Sequence, residues 1–256
     1  MGDFKAEVKR RIASNSTNNQ LKRDAAAFMK SSFLPRYSYN FEWLGRPIIQ
    51  YPQDIVAVQE IIWQVRPDLI IETGIAHGGS LMLSASMIAL LDLCDGIEAG
   101  VTINPTVSKR TVLGIDIDIR NHNRLAIESH PLASRVQMIQ GSSIAPDVIA
   151  RVHEVASQYE RILVFLDSNH SHSHVLAELN AYAQLTSLSS YCVVFDTVVE
   201  DLPKEFFAER PWDSVNNPKT AVREYLTQHP EFEIDTEIQD KLLITVAPDG
   251  FLRRVK

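Results

Sequence analysis

An apolar run that ends in an acid and a glycine turn constrains the fold of this chain more than any other segment. Residues 70–80 read Ile-Ile-Glu-Thr-Gly-Ile-Ala-His-Gly-Gly-Ser, which is a short strand leading into a helix. Glycine lets the backbone turn sharply and approach a ligand closely. Glu72 stands where the strand ends, and the amides that open the helix face the same crevice. The segment therefore predicts an α/β fold with a nucleotide-like pocket.

The spacing of this turn separates it from two better-known nucleotide motifs. It reads Gly-x-x-x-Gly-Gly after an acid, whereas the dinucleotide fingerprint is Gly-x-Gly-x-x-Gly and the phosphate loop requires Gly-Lys-Ser/Thr. An acid at the strand end favours a positively charged ligand without phosphate, so we expect S-adenosylmethionine. An ordinary tight strand-to-helix turn is the alternative interpretation. The candidate cofactor residues here are Glu72, Gly74, Ala76, His77, Gly78, Gly79 and Ser80.

Apolar strands alternate with helical patterns through most of the chain. Continuous apolar strands separated by helices indicate a parallel sheet that is covered on both faces. Two last strands are expected to pair antiparallel at the sheet edge. We predict an α/β, Rossmann-like fold with a mostly parallel seven-stranded sheet and an antiparallel C-terminal edge strand. The expected strands are 69–72, 112–117, 136–140, 162–166, 191–195, 232–235 and 242–247.

The first 52 residues differ from this pattern. Apolar residues recur at helical spacing in two short stretches before residue 30, which predicts two amphipathic helices. Residues 35–52 are aromatic and punctuated by proline and glycine, so we expect an ordered loop there. The chain is accordingly divided into an N-terminal extension, 1–52, and a catalytic domain, 53–256.

Composition excludes several classes of partner. The net charge of −7 argues against a broad nucleic-acid footprint. Both cysteines lie in apolar surroundings without metal-ligand spacing, which favours a reduced, cytoplasmic setting. The chain shows no signal-like start and no apolar run that we expect to span a bilayer. A soluble cytoplasmic protein is the prediction.

Further polar residues follow the second and third strands of the predicted sheet, where open α/β sheets bind ligands. Asp116 and Asp118 end the second strand, and an acid there can hold both hydroxyls of a ribose. Asp116 is the first choice and Asp118 the second. Ser142 and Ser143 follow the third strand, where an adenine edge would lie. A simple helix cap is the alternative interpretation of the two serines.

Carboxylates also follow the fourth and fifth strands. Asp167 and Asp196 end neighbouring strands, and Glu200 and Asp201 come close behind. Paired carboxylates at neighbouring strand ends suit a hard divalent cation such as Mg²⁺. The sequence therefore predicts a metal site formed by Asp167 and Asp196, with Glu200 and Asp201 as further candidates.

Three histidines alternate just after the fourth strand, at His170, His172 and His174. A Zn²⁺ or Fe²⁺ site is one interpretation. A helix beginning near Ser173 would break the alternation and turn His174 away from His170. His170 lies three residues after Asp167, so we expect these two to be the catalytic residues.

Four segments carry a resemblance to a known family. They are residues 71–81, 167–170, 194–197 and 217–221. From about Trp43 to the C-terminus the chain resembles the cephalosporin hydroxylase and rhamnosyl O-methyltransferase family. The resemblance implies a methyltransferase fold, with cofactor binding by residues 72–80 and Asp116. It also implies a Mg²⁺ site at Asp167 and Asp196, and His170 as the general base.

One position departs from the pattern of that family. Members with a well-formed metal site tend to have an acid immediately before the residue that matches Asp196, and this chain has Phe195 there. Either the site has lost a ligand, or Glu200, Asp201 or a histidine replaces it.

The function expected from these residues is S-adenosylmethionine-dependent O-methylation of a sugar or glycan hydroxyl, in surface-polysaccharide or natural-product biosynthesis. Mg²⁺ or Mn²⁺ is expected to assist, and a homo-oligomer is expected. Two other functions remain open. An oxygenase site is conceivable from Asp167, His170 and His172, although the βα alternation opposes it. Phe195 motivates the other, a cofactor-binding protein without catalysis.

Overall fold

The structure, a computed structural model, describes residues 2–256. Two helices open it, α1 (Gly2–Thr17) and α2 (Asn19–Phe33), where the sequence pattern predicts them. Asn18 separates the helices and caps α2, because its side-chain oxygen accepts a hydrogen bond from the Leu21 amide. The extension predicted for the N-terminus is therefore helical at its start.

The aromatic segment that follows is not the loop that the sequence predicted. It forms a hairpin of β1 (Phe41–Trp43) and β2 (Arg46–Ile48). The two turn residues, Leu44 and Gly45, have φ angles of 48° and 80°. Positive φ at both positions fits the tight hairpin turn, but a leucine there gives no sequence signal for one. The hairpin lies against the helix that begins at Gly79, where Trp43 Nε1 donates a hydrogen bond of 3.0 Å to Ser86.

Helices and strands then alternate to the end of the chain. The elements in order are α3 (Pro52–Val65), β3 (Leu69–Thr73), α4 (Gly79–Ala99), β4 (Thr111–Asp116), α5 (Asn121–Glu128), β5 (Val136–Gln140), α6 (Pro146–Ala156), β6 (Ile162–Leu166), α7 (His172–Tyr182), β7 (Tyr191–Val194), α8 (Pro218–Leu226), β8 (Phe232–Ile234), α9 (Thr236–Leu242) and β9 (Phe251–Arg254).

Over residues 2–256 the large sheet has seven strands in the order β5-β4-β3-β6-β7-β9-β8. The first five strands in this order are parallel, and β9 runs antiparallel to both of its neighbours. The predicted fold class is thus confirmed. After β3 the chain adds β4 and β5 on one side of β3, and it then crosses over so that β6 pairs with the other side. Ligands of open α/β sheets bind where the order reverses, so the crevice outside β3 and β6 is the expected site.

Side chains of the sheet alternate between two apolar cores. Ile70 and Phe165 pack with α3 and α4 on one face, whereas Ile71 and Val164 pack with α6, α7 and α8 on the other. Every residue of β3 is buried. The sheet is therefore covered on both faces, as continuous apolar strands require.

The predicted strand 242–247 is wrong. Asp235 accepts a hydrogen bond from the Glu237 amide and caps α9, which occupies Thr236–Leu242. The last strand is β9 instead. The apolar run after α9 packs as a loop, because the buried Asp54 accepts hydrogen bonds from the Thr245 hydroxyl and, at 3.0 Å, from the Val246 amide.

Helix α4 also corrects an expectation. Its 21 residues have a window of mean hydropathy 1.6, which is long and apolar enough for a bilayer. Half of that window is buried in the structure, and residues such as Leu81 and Ile88 belong to the core shared with α3. Packing within the fold accounts for the composition of this helix.

Candidate active site

Glu72 lies at the C-terminal end of β3 with only 2% of its surface exposed. Its Oε1 accepts a hydrogen bond from the Ser80 hydroxyl at the start of α4. Burial raises the pKa of its carboxyl to about 7. Within residues 2–256, its Oε2 is buried and has no hydrogen-bond partner. A buried acceptor of this kind costs roughly 1–3 kcal/mol, so the site favours a ligand that donates to it.

The glycine turn after β3 is shaped by close approach to other backbone segments. Gly74 has a φ angle of +92°, and a Cβ there would lie 2.0 Å from the Asp167 carbonyl oxygen. A Cβ on Gly79 would lie 2.2 Å from the carbonyl oxygen of Pro47 in β2. These glycines bring β6 and the hairpin against the turn. Their predicted contact with a cofactor stays a prediction.

Asp116, the candidate ribose ligand, binds the glycine turn in this structure. Its Oδ2 accepts hydrogen bonds from the amides of Ile75, at 2.8 Å, and Ala76, at 3.2 Å. Its Oδ1 accepts one from the Asp118 amide at 3.0 Å. A carboxylate has about four acceptor sites, so Asp116 retains capacity for a ligand hydroxyl. The ribose role of Asp116 and Asp118 remains a prediction.

Two residues that the sequence analysis missed hold the same turn from outside. Asn123 is 2% exposed and donates to the Ala76 carbonyl at 2.8 Å. Arg46 donates to the His77 carbonyl through Nε at 2.9 Å. Neither residue belongs to a recognisable motif, because each acts from an element distant in sequence.

His174 lies beside the serines that follow β5. Its Nε2 is 3.0 Å from the Ser143 hydroxyl and 3.2 Å from the Ser168 hydroxyl. Ser168 in turn donates to the fully buried Glu178 at 2.6 Å. The half-buried Ser142 precedes this network. The structure thus brings Ser143, which follows β5, together with His174 at the start of α7, although β4 and β3 separate β5 from β6 in the sheet.

A cluster of three potential metal ligands lies at the ends of β6 and β7. One ligand atom each from Asp167, His170 and Asp196 lie within 4.8 Å of one another. His170 Nε2 is 3.1 Å from Asp196 Oδ2. Burial, and then the neighbouring Asp196 carboxylate, raise the pKa of Asp167 well above its usual range. Two close carboxylates of this kind fit a divalent cation.

The structure does not bring the other two candidate metal ligands to this cluster. Glu200 forms an ion pair with Arg223 at 2.7 Å, and Asp201 forms one with Lys219 at 2.5 Å. Both basic residues lie on α8. The buried Phe195 packs edge-on against Phe165, with ring centroids 5.9 Å apart. Of Glu200, Asp201 and the three histidines, only His170 joins the cluster among the described residues, so it alone can replace the acid that is missing at Phe195.

The three histidines face three different neighbours. His172 is 2.8 Å from the Thr220 hydroxyl and 3.1 Å from Glu224, so it faces α8. The oxygenase set of Asp167, His170 and His172 is therefore not assembled. His170 instead packs its ring perpendicular to Trp212, with centroids 4.8 Å apart. Trp212 forms a wall beside the cluster.

A small chamber lies beneath these strand ends, and we call it the strand-end chamber. Polar residues line it at Gln50, Glu72, Ser80, Ser84 and Asp167, and apolar residues at Val58, Leu83, Phe165 and Phe195.

Comparison with protein families and curated relatives gives one consistent result. The family model described as Rhamnosyl O-methyltransferase/CmcI matches residues 35–255. A rhamnosyl O-methyltransferase of Mycobacterium bovis is 29% identical over 207 residues, covering 78% of this chain and 73% of that protein. A rhamnosyl O-methyltransferase of Mycobacterium leprae is 27% identical over 217 residues, covering 83% and 82%.

Solved structures agree on the fold. A structure described as cmcI-D160 Mg-SAM has a TM-score of 0.55 and 18% identity, covering 85% of this chain and 78% of its own. The apo structure of CalS11, a TDP-rhamnose 3'-O-methyltransferase, has a TM-score of 0.51 and 15% identity, covering 97% and 93%. At these identities the likeness establishes the Rossmann-like methyltransferase fold.

The raised pKa of Glu72 predicts a pH-dependent stability. The folded chain holds on Glu72 a proton that the unfolded chain releases above about pH 4.5, so stability falls as pH rises from 4.5 to about 7. This group alone accounts for up to about 3 kcal/mol. Glu72→Gln removes the contribution of this carboxyl to the pH dependence of stability. The variant should therefore be more stable relative to wild type at pH 8 than at pH 5. Urea unfolding of both proteins at both pH values, without metal or ligand, measures the difference in the free energy of unfolding, and the same difference at pH 5 and pH 8 contradicts the prediction.

Proposed function

Because the chain belongs to the rhamnosyl O-methyltransferase/CmcI family, we propose that it transfers a methyl group from S-adenosylmethionine to a hydroxyl of a sugar or glycan. One observation carries the proposal. The unpartnered, buried Glu72 oxygen lies in the same chamber as Asp167, which also belongs to the cluster with His170 and Asp196. A site for a cationic cofactor and a site for proton removal are therefore adjacent.

The crevice fits the proposed cofactor by the chemistry of its donors and acceptors. S-adenosylmethionine carries its methyl group on a positively charged sulfur that leaves as a neutral thioether. Glu72 supplies a buried acceptor for a cationic group, and Asp116 lies across the glycine turn with acceptor capacity for hydroxyls. Ser143 offers a hydroxyl where we place the adenine. The proposed cofactor residues remain those that the sequence predicted.

Asp167 and Asp196 are proposed to hold the divalent metal, Mg²⁺ or Mn²⁺. Bound there, the cation would supply positive charge that makes a nearby sugar hydroxyl more acidic. The two carboxylates match its charge, and carboxylate oxygens are the ligands that both ions prefer. Burial and the neighbouring Asp196 carboxylate raise the pKa of Asp167, and a divalent cation would offset both effects.

His170 is proposed to be the general base. In the reaction the hydroxyl oxygen forms a bond to the methyl carbon, the carbon–sulfur bond breaks, and the hydroxyl proton passes to the imidazole. Asp196, 3.1 Å from Nε2, stabilises the imidazolium that results. Trp212 packs perpendicular to the His170 ring and holds it in place. Its own ring offers the sugar substrate an apolar wall.

A rhamnose-type sugar is the acceptor that we propose first, because the curated relatives are named for rhamnosyl O-methylation. We further propose a cytoplasmic homo-oligomer. The free cysteines Cys94 and Cys192 support a reducing compartment. Exposed apolar side chains on α3 and α4, including Trp63 and Leu90, support a subunit interface.

Methyl transfer to rhamnosides tests the proposed function. We expect S-adenosylmethionine labelled with a deuterated methyl group to pass that label to a rhamnosyl glycoside or a nucleotide-linked rhamnose. Mass spectrometry of the acceptor detects one added CD₃ group. Tight binding of the cofactor without labelling of any sugar in the panel would favour the non-catalytic alternative.

Metal dependence follows from the paired carboxylates. Exhaustive EDTA treatment should abolish methyl transfer, and Mg²⁺ or Mn²⁺ should restore it. Asp167→Asn should lower the affinity for Mn²⁺ in a calorimetric titration. Glu200→Gln is the matched control, because Glu200 pairs with Arg223 away from the cluster, and its Mn²⁺ affinity should equal that of wild type. Full activity after EDTA treatment would refute the metal site.

His170→Ala should lower kcat by about 100- to 10,000-fold, the usual contribution of a positioned base. Affinity for S-adenosylmethionine should change little, because His170 faces Asp196 and Trp212. His172→Ala is the control. It removes an equivalent ring that faces α8, and its kcat should stay near that of wild type. Steady-state kinetics of the two variants decides, and a wild-type kcat for His170→Ala excludes His170 as the base.

A further inference from the structure

Gln50 reaches the strand-end chamber from the N-terminal extension, outside the large sheet. It lies between β2 and α3 and is 5% exposed. In the part of the chain that the structure describes, its Oε1 is buried and accepts no hydrogen bond. Glu72 Oε2 is also buried and accepts no hydrogen bond from the described residues, and both Gln50 and Glu72 line the chamber. Two unsatisfied acceptors therefore share one small space.

This coincidence points to a ligand that donates more than one hydrogen bond. Buried polar groups in native proteins are nearly always paired, and each exception needs an explanation. An ammonium group has three donors and no acceptor, and its positive charge complements the carboxylates of Glu72 and Asp167. A neutral hydroxyl has a single donor. The chamber is small, so it suits an ammonium group better than a Mg²⁺ ion with the waters that this ion keeps.

The position of Gln50 is fixed on both sides. The Tyr51 hydroxyl, at the next residue, is 2.8 Å from the Ser32 hydroxyl, and Ile48 is 1% exposed. The strand before it lies against Gly79, where a Cβ would collide with the Pro47 carbonyl. Since the backbone is held in this way on both sides, Gln50 extends towards the chamber from a fixed position, which lowers the cost of ordering it around a ligand.

We propose that Gln50 is a cofactor-binding residue, which with Glu72 accepts hydrogen bonds from the ammonium group at the amino-acid end of S-adenosylmethionine. The inference rests on the proposed function, because that function supplies the ligand. It also gives the N-terminal extension a role, since the extension completes a pocket otherwise built by the sheet and α4.

Two ligands that differ at the amino-acid end test the proposal. S-adenosylhomocysteine retains that end, and 5′-methylthioadenosine lacks it. Gln50→Leu should lower the affinity for S-adenosylhomocysteine by about tenfold, which is the effect of one lost hydrogen bond to a charged group. Its affinity for 5′-methylthioadenosine should stay that of wild type. Decarboxylated S-adenosylmethionine, which keeps the ammonium group, should lose affinity to the same degree. Calorimetric titration measures all three.

Gln53→Leu is the matched control. Gln53 lies three residues further on, in α3, and its Oε1 is also buried without a partner among residues 2–256, but it does not line the chamber. Its variant should bind all three ligands as wild type does. Gln50→Met, which keeps the length of the side chain, repeats the test if the leucine variant folds poorly. Unchanged binding of 5′-methylthioadenosine shows that a variant retains the pocket.

The possible results separate this inference from the proposed function. Equal weakening of S-adenosylhomocysteine and 5′-methylthioadenosine by Gln50→Leu assigns Gln50 a structural role and overturns the inference. If Gln50→Leu binds S-adenosylhomocysteine with wild-type affinity, the inference about Gln50 is overturned and the proposed function is unaffected. Loss of Mg²⁺ binding by Gln50→Leu in the absence of nucleotide would assign the chamber to a metal. A wild-type protein that binds no S-adenosylhomocysteine overturns both proposals.

Discussion

The contact between the glycine turn and the end of β6 is the constraint on which the site depends. Gly74 leaves no space for a Cβ, because the Asp167 carbonyl would lie 2.0 Å from it. The Asp167 amide also donates to the Thr73 carbonyl at 2.9 Å. This packing fixes the Asp167 backbone beside the turn, and Asp167 lines the same chamber as Glu72. Any larger residue at position 74 would separate the two strand ends.

Burying several carboxyl groups close together lowers the stability of the folded chain. Burial raises the pKa of Glu72 and of Asp54 to about 7, and burial together with the neighbouring Asp196 carboxylate raises the pKa of Asp167 well above its usual range. Apolar cores on both faces of the sheet hold these carboxylates in place. Such perturbed groups in a crevice are typical of functional sites, where ligands or metal ions supply the missing positive charge.

The sequence predicts the sheet and the strand-end acids because both depend on local pattern. A parallel sheet places the carboxyl ends of its strands at one edge, so Glu72, Asp116, Asp167 and Asp196 are brought to one edge by topology alone. Long-range contacts carry no such pattern. The hairpin turn at Leu44, the ion pairs of Glu200 and Asp201, and the approach of Gln50 all depend on distant segments. These features therefore require the structure.

Phe195 illustrates how one substitution changes the electrostatics of the cluster. The family resemblance expects an acid at this position, next to two carboxylates and the buried Glu72. Phe195 instead packs on Phe165 and closes the chamber with apolar surface. The cluster then holds two carboxylates, whose charge balances one divalent cation, and one imidazole. A third carboxylate would leave one negative charge unbalanced beside the buried Glu72. Phe195 thus keeps the charge of the cluster matched to a single divalent cation.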